Sequence, residues 1–164
     1  MKQAMLLGMT FLLICTAGIE AKAESLVWKA LDKGPPDLIE TYQSDKSVST
    51  EPLNPKIAKF VEVKGQKAPV YLVDPNTSDL CGSAGCLIIG YFYKNNHYIK
   101  IFDVYTDSTV EPPSNPADFI TVSKEMHQGL PCLDLQGLSI GKGKKARWCY
   151  NGKEYKFSRV REVR

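Results

Sequence analysis

The sequence predicts an α+β domain: an antiparallel sheet of about five or six strands, short N-terminal helices on one face, and two disulfides. Three observations predict it. An apolar run from Leu87 to Tyr93 turns at Asn95-Asn96 and returns through Tyr98 to Tyr105, the pattern of a hairpin. Asn151-Gly152 stands between two runs that alternate aromatic and polar residues, the strongest short-range hairpin cue. Cys81, Cys86, Cys132 and Cys149 follow what reads as an export signal, and an even number of cysteines in an exported chain reads as a disulfide framework.

The signal comes first. Lys2 opens a short basic start, Met5 to Thr16 is apolar and uncharged, and Ala21-Lys22-Ala23 offers small residues where a signal peptidase reads them. The apolar run is shorter than the roughly 20 residues of a membrane span. The expectation is a signal peptide over 1–23 and a single disulfide-braced domain over 24–164, exported to the periplasm or secreted, with no membrane span after cleavage. Ile14 before Cys15 does not suit a lipid-attachment site. Loss of Lys2, Glu20 and Lys22 lowers the formal net charge of +3 by one, so the balance gives no argument for a nucleic-acid partner. Lys142, Lys144, Lys145 and Arg147 cluster beside Gly141 and Gly143, which reads as a solvated turn, and Arg159, Arg161 and Arg164 read as a solvated tail.

The elements follow in order. Leu26, Val27, Ala30 and Leu31 fall at helical spacing, so Ser25 to Gly34 predicts a short helix, with another turn or two over Asp37 to Gln43 after the Pro35-Pro36 break. Ser44 to Leu53 is polar and mixed, a loop. Asn54-Pro55 reads as a helix start, and Ile57, Phe60 and Val61 recur at i, i+3 and i+4; a helix from Pro55 to about Val63 is expected, with a strand as the alternative that β-branched Val61 and Val63 keep open. Pro69 to Val73 is a strand. Asn76-Thr77-Ser78 matches the glycosylation triplet.

In the central hairpin, a two-residue turn at Asn95-Asn96 pairs Lys94 with His97, Tyr93 with Tyr98 and Phe92 with Ile99, and further down Ile89 with Phe102 and Leu87 with Val104. Both faces are largely apolar, so the pair should be covered on both sides, with a helix able to supply the second cover. Asp107 to Asp118 is a loop and Phe119 to Ser123 a strand. Around Asn151-Gly152, Trp148 should face Tyr155 and Ala146 should face Phe157.

Four cysteines allow three pairings. Cys132 and Cys149 are equidistant from a turn centred between Ile140 and Gly141, which would set them face to face and leave Cys81 with Cys86, a small loop made feasible by Gly82 and Gly85. A four-thiolate zinc site is the rival, but Cys132 and Cys149 lie too far apart in sequence for it. No Cys-x-x-Cys redox motif is present.

The sequence carries no recognisable catalytic constellation, and no cofactor or metal is expected. Ser83 lacks the Gly-x-Ser-x-Gly setting of a hydrolase elbow. His97 falls at the hairpin tip, and an enzyme would need a cleft around His127 and Asp134. Binding is the better reading: a loop closed by Cys81 and Cys86 would present Gly82, Ser83, Ala84 and Gly85, already ordered, to another exported or envelope protein. The order of short helix, strand, Cys-x-x-x-x-Cys and long hairpin over Asn54 to Tyr105 resembles the periplasmic Ivy family of lysozyme inhibitors. The resemblance implies a non-catalytic inhibitor of a cell-wall hydrolase that plugs its target with the loop between the two cysteines. In that family the loop carries a histidine and an acid; here Gly82, Ser83, Ala84 and Gly85 stand in their place. An accessory component of an envelope or secretion assembly, with a sheet edge paired to a partner strand, is the second reading.

Overall fold

The computed structural model describes residues 26–82, 85–106, 119–136 and 143–162. In chain order the elements are β1 (Lys29–Ala30), a 3-10 turn (Leu31–Lys33), α1 (Pro36–Ser44), β2 (Lys59–Val63), β3 (Val70–Asp74), a second 3-10 turn (Ser78–Leu80), β4 (Cys81–Gly82), β5 (Gly85–Lys94), β6 (His97–Thr106), β7 (Ile120–His127), β8 (Leu130–Leu135), β9 (Lys144–Tyr150) and β10 (Tyr155–Glu162). Every pairing is antiparallel. The strands form two sheets rather than the single sheet expected. One runs β1-β2-β3-β5-β6, with β4 flanking the start of β5, and the other runs β10-β9-β8-β7.

One apolar core joins the sheets. Val61, Leu72, Ile88 and Phe102 of the first pack with Ile120, Leu133, Leu135 and Tyr155 of the second. The opposite face of the first sheet carries a second core. There Leu38 and Tyr42 of α1 lie with Leu31, Val73, Ile89 and Tyr91. Strand alternation makes this possible: Phe60 and Val61, Leu72 and Val73, and Ile88 and Ile89 each split between the two cores. The first sheet is therefore the covered middle layer, as the two apolar faces of its hairpin require.

The predicted helix from Ser25 to Gly34 is a strand residue pair and one 3-10 turn. Leu26 and Trp28 pack against the inter-sheet core, Lys29 and Ala30 pair with Phe60 and Lys59, and Leu31 donates its N–H to the Ala58 carbonyl at 2.9 Å. The predicted helix from Pro55 to Val63 is also absent. Asn54 accepts from the Lys56 N–H at 3.0 Å in a local turn, and the β-branched residues that follow enter β2. Among the described residues α1 is the one α-helix, with Pro36 in its first turn.

The central hairpin turns at Asn95 and Asn96, both at positive φ (53° and 62°), and its first four pairs are Lys94–His97, Tyr93–Tyr98, Phe92–Ile99 and Tyr91–Lys100. The lower pairs differ from expectation. Ile101 is an extra residue on β6, so Gly90 faces Phe102, Ile89 faces Asp103 and Leu87 faces Tyr105. A Cβ on Gly90 would lie 2.7 Å from the Phe102 Cβ, and this close approach seats the Phe102 ring in the inter-sheet core. The second hairpin is shifted too. Asn151 takes the N–H groups of Lys153 and Glu154 on its Oδ1, at 2.9 and 3.0 Å, and so draws both residues into the loop. Tyr155 then faces Tyr150, and Phe157 faces Trp148. The shift is by two residues, which preserves the aromatic face and changes only the partners.

Candidate functional site

A groove of about 740 Å3 follows the outer edge of β2. Its walls come from both sheets: β2 with the segment before β1 on one side, Val122, Ser123 and Lys124 of β7 on the other. β1 covers only Lys59 and Phe60 of that edge, so Val61 to Val63 have no outer strand partner among the described residues. The hydrogen bond from Leu31 to Ala58 fixes which way the backbone points. The alternation of a strand then turns the N–H and C=O of Glu62 outward into the groove. Val61 and Val63 are buried while the Glu62 side chain is exposed. At the far end the Gln66 N–H donates to the Gly129 carbonyl at 2.8 Å and ties the strand exit to the β7–β8 turn.

The groove is basic at its rim. Lys29, Lys33, Lys64 and Lys124 line it, all exposed, with Glu62 as the one acid among the lining residues. Lys33 lies 3.8 Å from Asp32; Lys29, Lys64 and Lys124 make no ion pair among the described residues. Past Pro35 and Tyr71, which it shares, the groove meets a smaller hollow of about 240 Å3 beside Tyr93 and Tyr98. No sequence pattern pointed to this groove, because its two walls come from segments that only the sheet packing brings together.

The cysteine loop is a tight hairpin. Cys81 faces Cys86 and Gly82 faces Gly85, and the disulfide Cys81–Cys86 closes it with a Cα–Cα distance of 4.0 Å. Ser83 and Ala84 lie outside the described residues. Gly82 is exposed, whereas Gly85 is buried at φ 105°, where a Cβ would fall 1.5 Å from the Thr106 carbonyl oxygen. Gly85 therefore lets β4 and β5 close against β6. The second disulfide, Cys132–Cys149, continues the β8–β9 ladder of Leu133 with Trp148 and Asp134 with Arg147.

On the outer face of the second sheet, Arg147 is almost fully buried, contrary to the solvated turn expected for it. Its Nε and a terminal nitrogen each donate to Asp134 at 2.6 Å, and its other terminal nitrogen donates to Glu125. Arg159 donates to Glu125 at 2.6 Å, and Arg161 lies 3.5 Å from Asp134, so these two arginines cap the cluster rather than form a free tail. His127 Nε2 sits 3.0 Å from the remaining Glu125 oxygen. Hydrogen bonds from His127 and then Arg147 hold the Glu125 carboxyl below the usual carboxylate range. Glu125 and His127 also lie near the sulfurs of Cys132 and Cys149. Those sulfurs are spent in the disulfide and offer no thiolate, and Glu125 is engaged by two arginines. The structure thus places His127 and Asp134 on one face, and Asp134 is occupied by Arg147. His97 lies at the exposed hairpin tip, with Nδ1 3.0 Å from the Asn95 carbonyl oxygen.

No helix among the described residues is long and apolar enough to cross a membrane. No family model, curated protein or solved structure matches the chain.

Proposed function

We propose that the chain is an exported, non-catalytic protein-binding domain whose interaction surface is the groove along β2. The observation that carries this reading is the outward-facing backbone of Glu62, set in a concave surface between two sheets and flanked by apolar Val61, Val63 and Val122. Pockets with an apolar lining and a few fixed polar groups are where proteins take ligands. The two disulfides suit an oxidising compartment, and with the signal peptide expected over 1–23 they support a periplasmic or secreted location. The partner is another exported or envelope protein.

A photo-crosslinker in place of Val27, which is 67% exposed and lines the groove, tests the reading against the same probe at Lys156 on the far sheet edge. Incubation with envelope extract should give a discrete adduct from position 27 alone, competed by unlabelled protein. Equal labelling from both positions, or labelling that unlabelled protein does not compete, removes the groove.

The second reading is inhibition of a cell-wall hydrolase by the Cys81–Cys86 loop, as the likeness to the Ivy family implies. Its support is the face-to-face register of the two cysteines, which holds the exposed Gly82 at a fixed position. Ser83→Trp should then abolish inhibition of a lysozyme-type hydrolase while the melting temperature holds; unchanged inhibition excludes the loop.

A further inference from the structure

We infer that the groove receives an extended acidic segment of its partner, added as a further strand to the edge of β2; this rests on the groove being the interaction surface. Among the described residues the two sheets present four outer edges, and these are not equivalent. Ile101 is an extra residue on β6 and Ser158 an extra residue on β10, and on β7 three residues, 123–125, stand opposite one of β8. Bulges of this kind twist an edge and spoil it as a template for another strand. β10 adds Lys156, Arg159 and Arg161, all exposed. The edge of β2 carries no bulge. Its pairing with β3 is unbroken from Lys59–Asp74 to Val63–Val70, so its outer groups keep regular strand spacing. β1 has already used that edge at Lys29 and Ala30, and an added strand would continue beyond it.

The groove also selects the charge of its occupant. Lys29 and Lys33 stand at the β1 end, Lys64 at the far end of β2, and Lys124 across on the bulge of β7. A strand laid between them meets cations at both ends and along one side, while exposed Val27 and half-buried Leu26 and Val122 take its apolar side chains. Alternating acidic and apolar residues match both demands. A second copy of this chain does not fit, because pairing two β2 edges would bring the same lysines together.

The test is titration of the oxidised 24–164 protein with a fluorescent eight-residue peptide of alternating Glu and Val, against a Lys-Val peptide of the same length. Glu62→Pro removes the outward N–H at a position where an edge strand tolerates proline, and it also removes the one acid of the groove. Strand addition predicts that E62P weakens the Glu-Val peptide about tenfold, the upper end of one net hydrogen bond. Attraction by charge alone predicts tighter binding to E62P, and that result overturns strand addition. K29E/K64E/K124E should lose the Glu-Val peptide and gain the Lys-Val peptide, and added salt should weaken the wild-type complex. Equal binding of the two peptides to the wild type, or no binding of either while the crosslink from position 27 persists, overturns the acidic partner and leaves the groove standing. Loss of the crosslink as well brings down both. Circular dichroism and melting of each variant separate a lost site from a lost fold.

Discussion

Arg147 on β9 grips Asp134 on β8 through two parallel hydrogen bonds of 2.6 Å, and the two residues are direct partners in the strand ladder. The Arg147 side chain keeps only 4% of its exposure and that of Asp134 13%, so the pair joins the two strands out of contact with most of the solvent. Asp134→Ala should destabilise the protein by about 3 kcal/mol, because it leaves a buried cation short of its main partner. The double variant D134L/R147M should lie much closer to wild type, since it removes the charge as well as its counter-ion. Urea unfolding of the two variants measures the difference; equal losses would show that the cation carries no burial cost.

Glu125 gives the fold an acid-sensitive element. Its carboxyl is held below the usual range in the folded state, chiefly by His127 and then by Arg147. Its contribution is therefore present above the unfolded value, about pH 4.3, and is lost as pH falls through the lower folded value. Glu125→Gln should flatten the stability profile below about pH 4 relative to wild type. Unfolding at a series of pH values checks this, and parallel profiles would contradict it.

The two disulfides should differ in weight. Cys132 and Cys149 are 17 residues apart, and Cys81 and Cys86 are 5 apart. Constraint of the unfolded chain makes the longer bridge worth about 3 kcal/mol and the shorter about 2 kcal/mol. C132S/C149S should therefore melt below C81S/C86S. The reverse order would place the main effect in the native packing of the β4–β5 hairpin.

Gly82 and Gly85 should respond in opposite ways to a methyl group. Gly85→Ala meets the Thr106 carbonyl and a positive φ, and it should cost more than about 2 kcal/mol. At Gly82 an added Cβ touches nothing within 4 Å, and Gly82→Ala should change stability by less than about 0.5 kcal/mol. Thermal melts of the two single variants suffice.

Buried tyrosines set the alkaline limit. Tyr91 is fully buried and donates to Asp45 at 2.9 Å; burial and then the Asp45 charge push its phenol far above the ordinary value. In the unfolded chain it ionises near pH 10, so stability should fall as pH rises above about 10. Tyr91→Phe should lose about 1 kcal/mol at neutral pH and show a shallower alkaline decline.

The sequence by itself determined the features whose causes are local. Asn95-Asn96 supplies two residues that tolerate positive φ, so the central hairpin and its first pairs were legible. The distance of Cys132 and Cys149 from a common turn centre gave their pairing, because a ladder counts residues evenly from its turn. Tertiary structure decided the rest. The helical spacing at Ile57, Phe60 and Val61 lost to pairing with β3, since a short helix gains less than a strand buried on both faces. The bulge at Ile101 exists because the Phe102 ring must reach the inter-sheet core, which residues as distant as Trp148 and Tyr155 help to form. Arg147 and Asp134 read as unrelated charges until β8 and β9 set them side by side. The edge of β2, which has no outer strand partner beyond Phe60 among the described residues, was least legible of all. Whether an edge is covered depends on where a neighbouring strand stops, and β1 pairs with only Lys59 and Phe60 of β2.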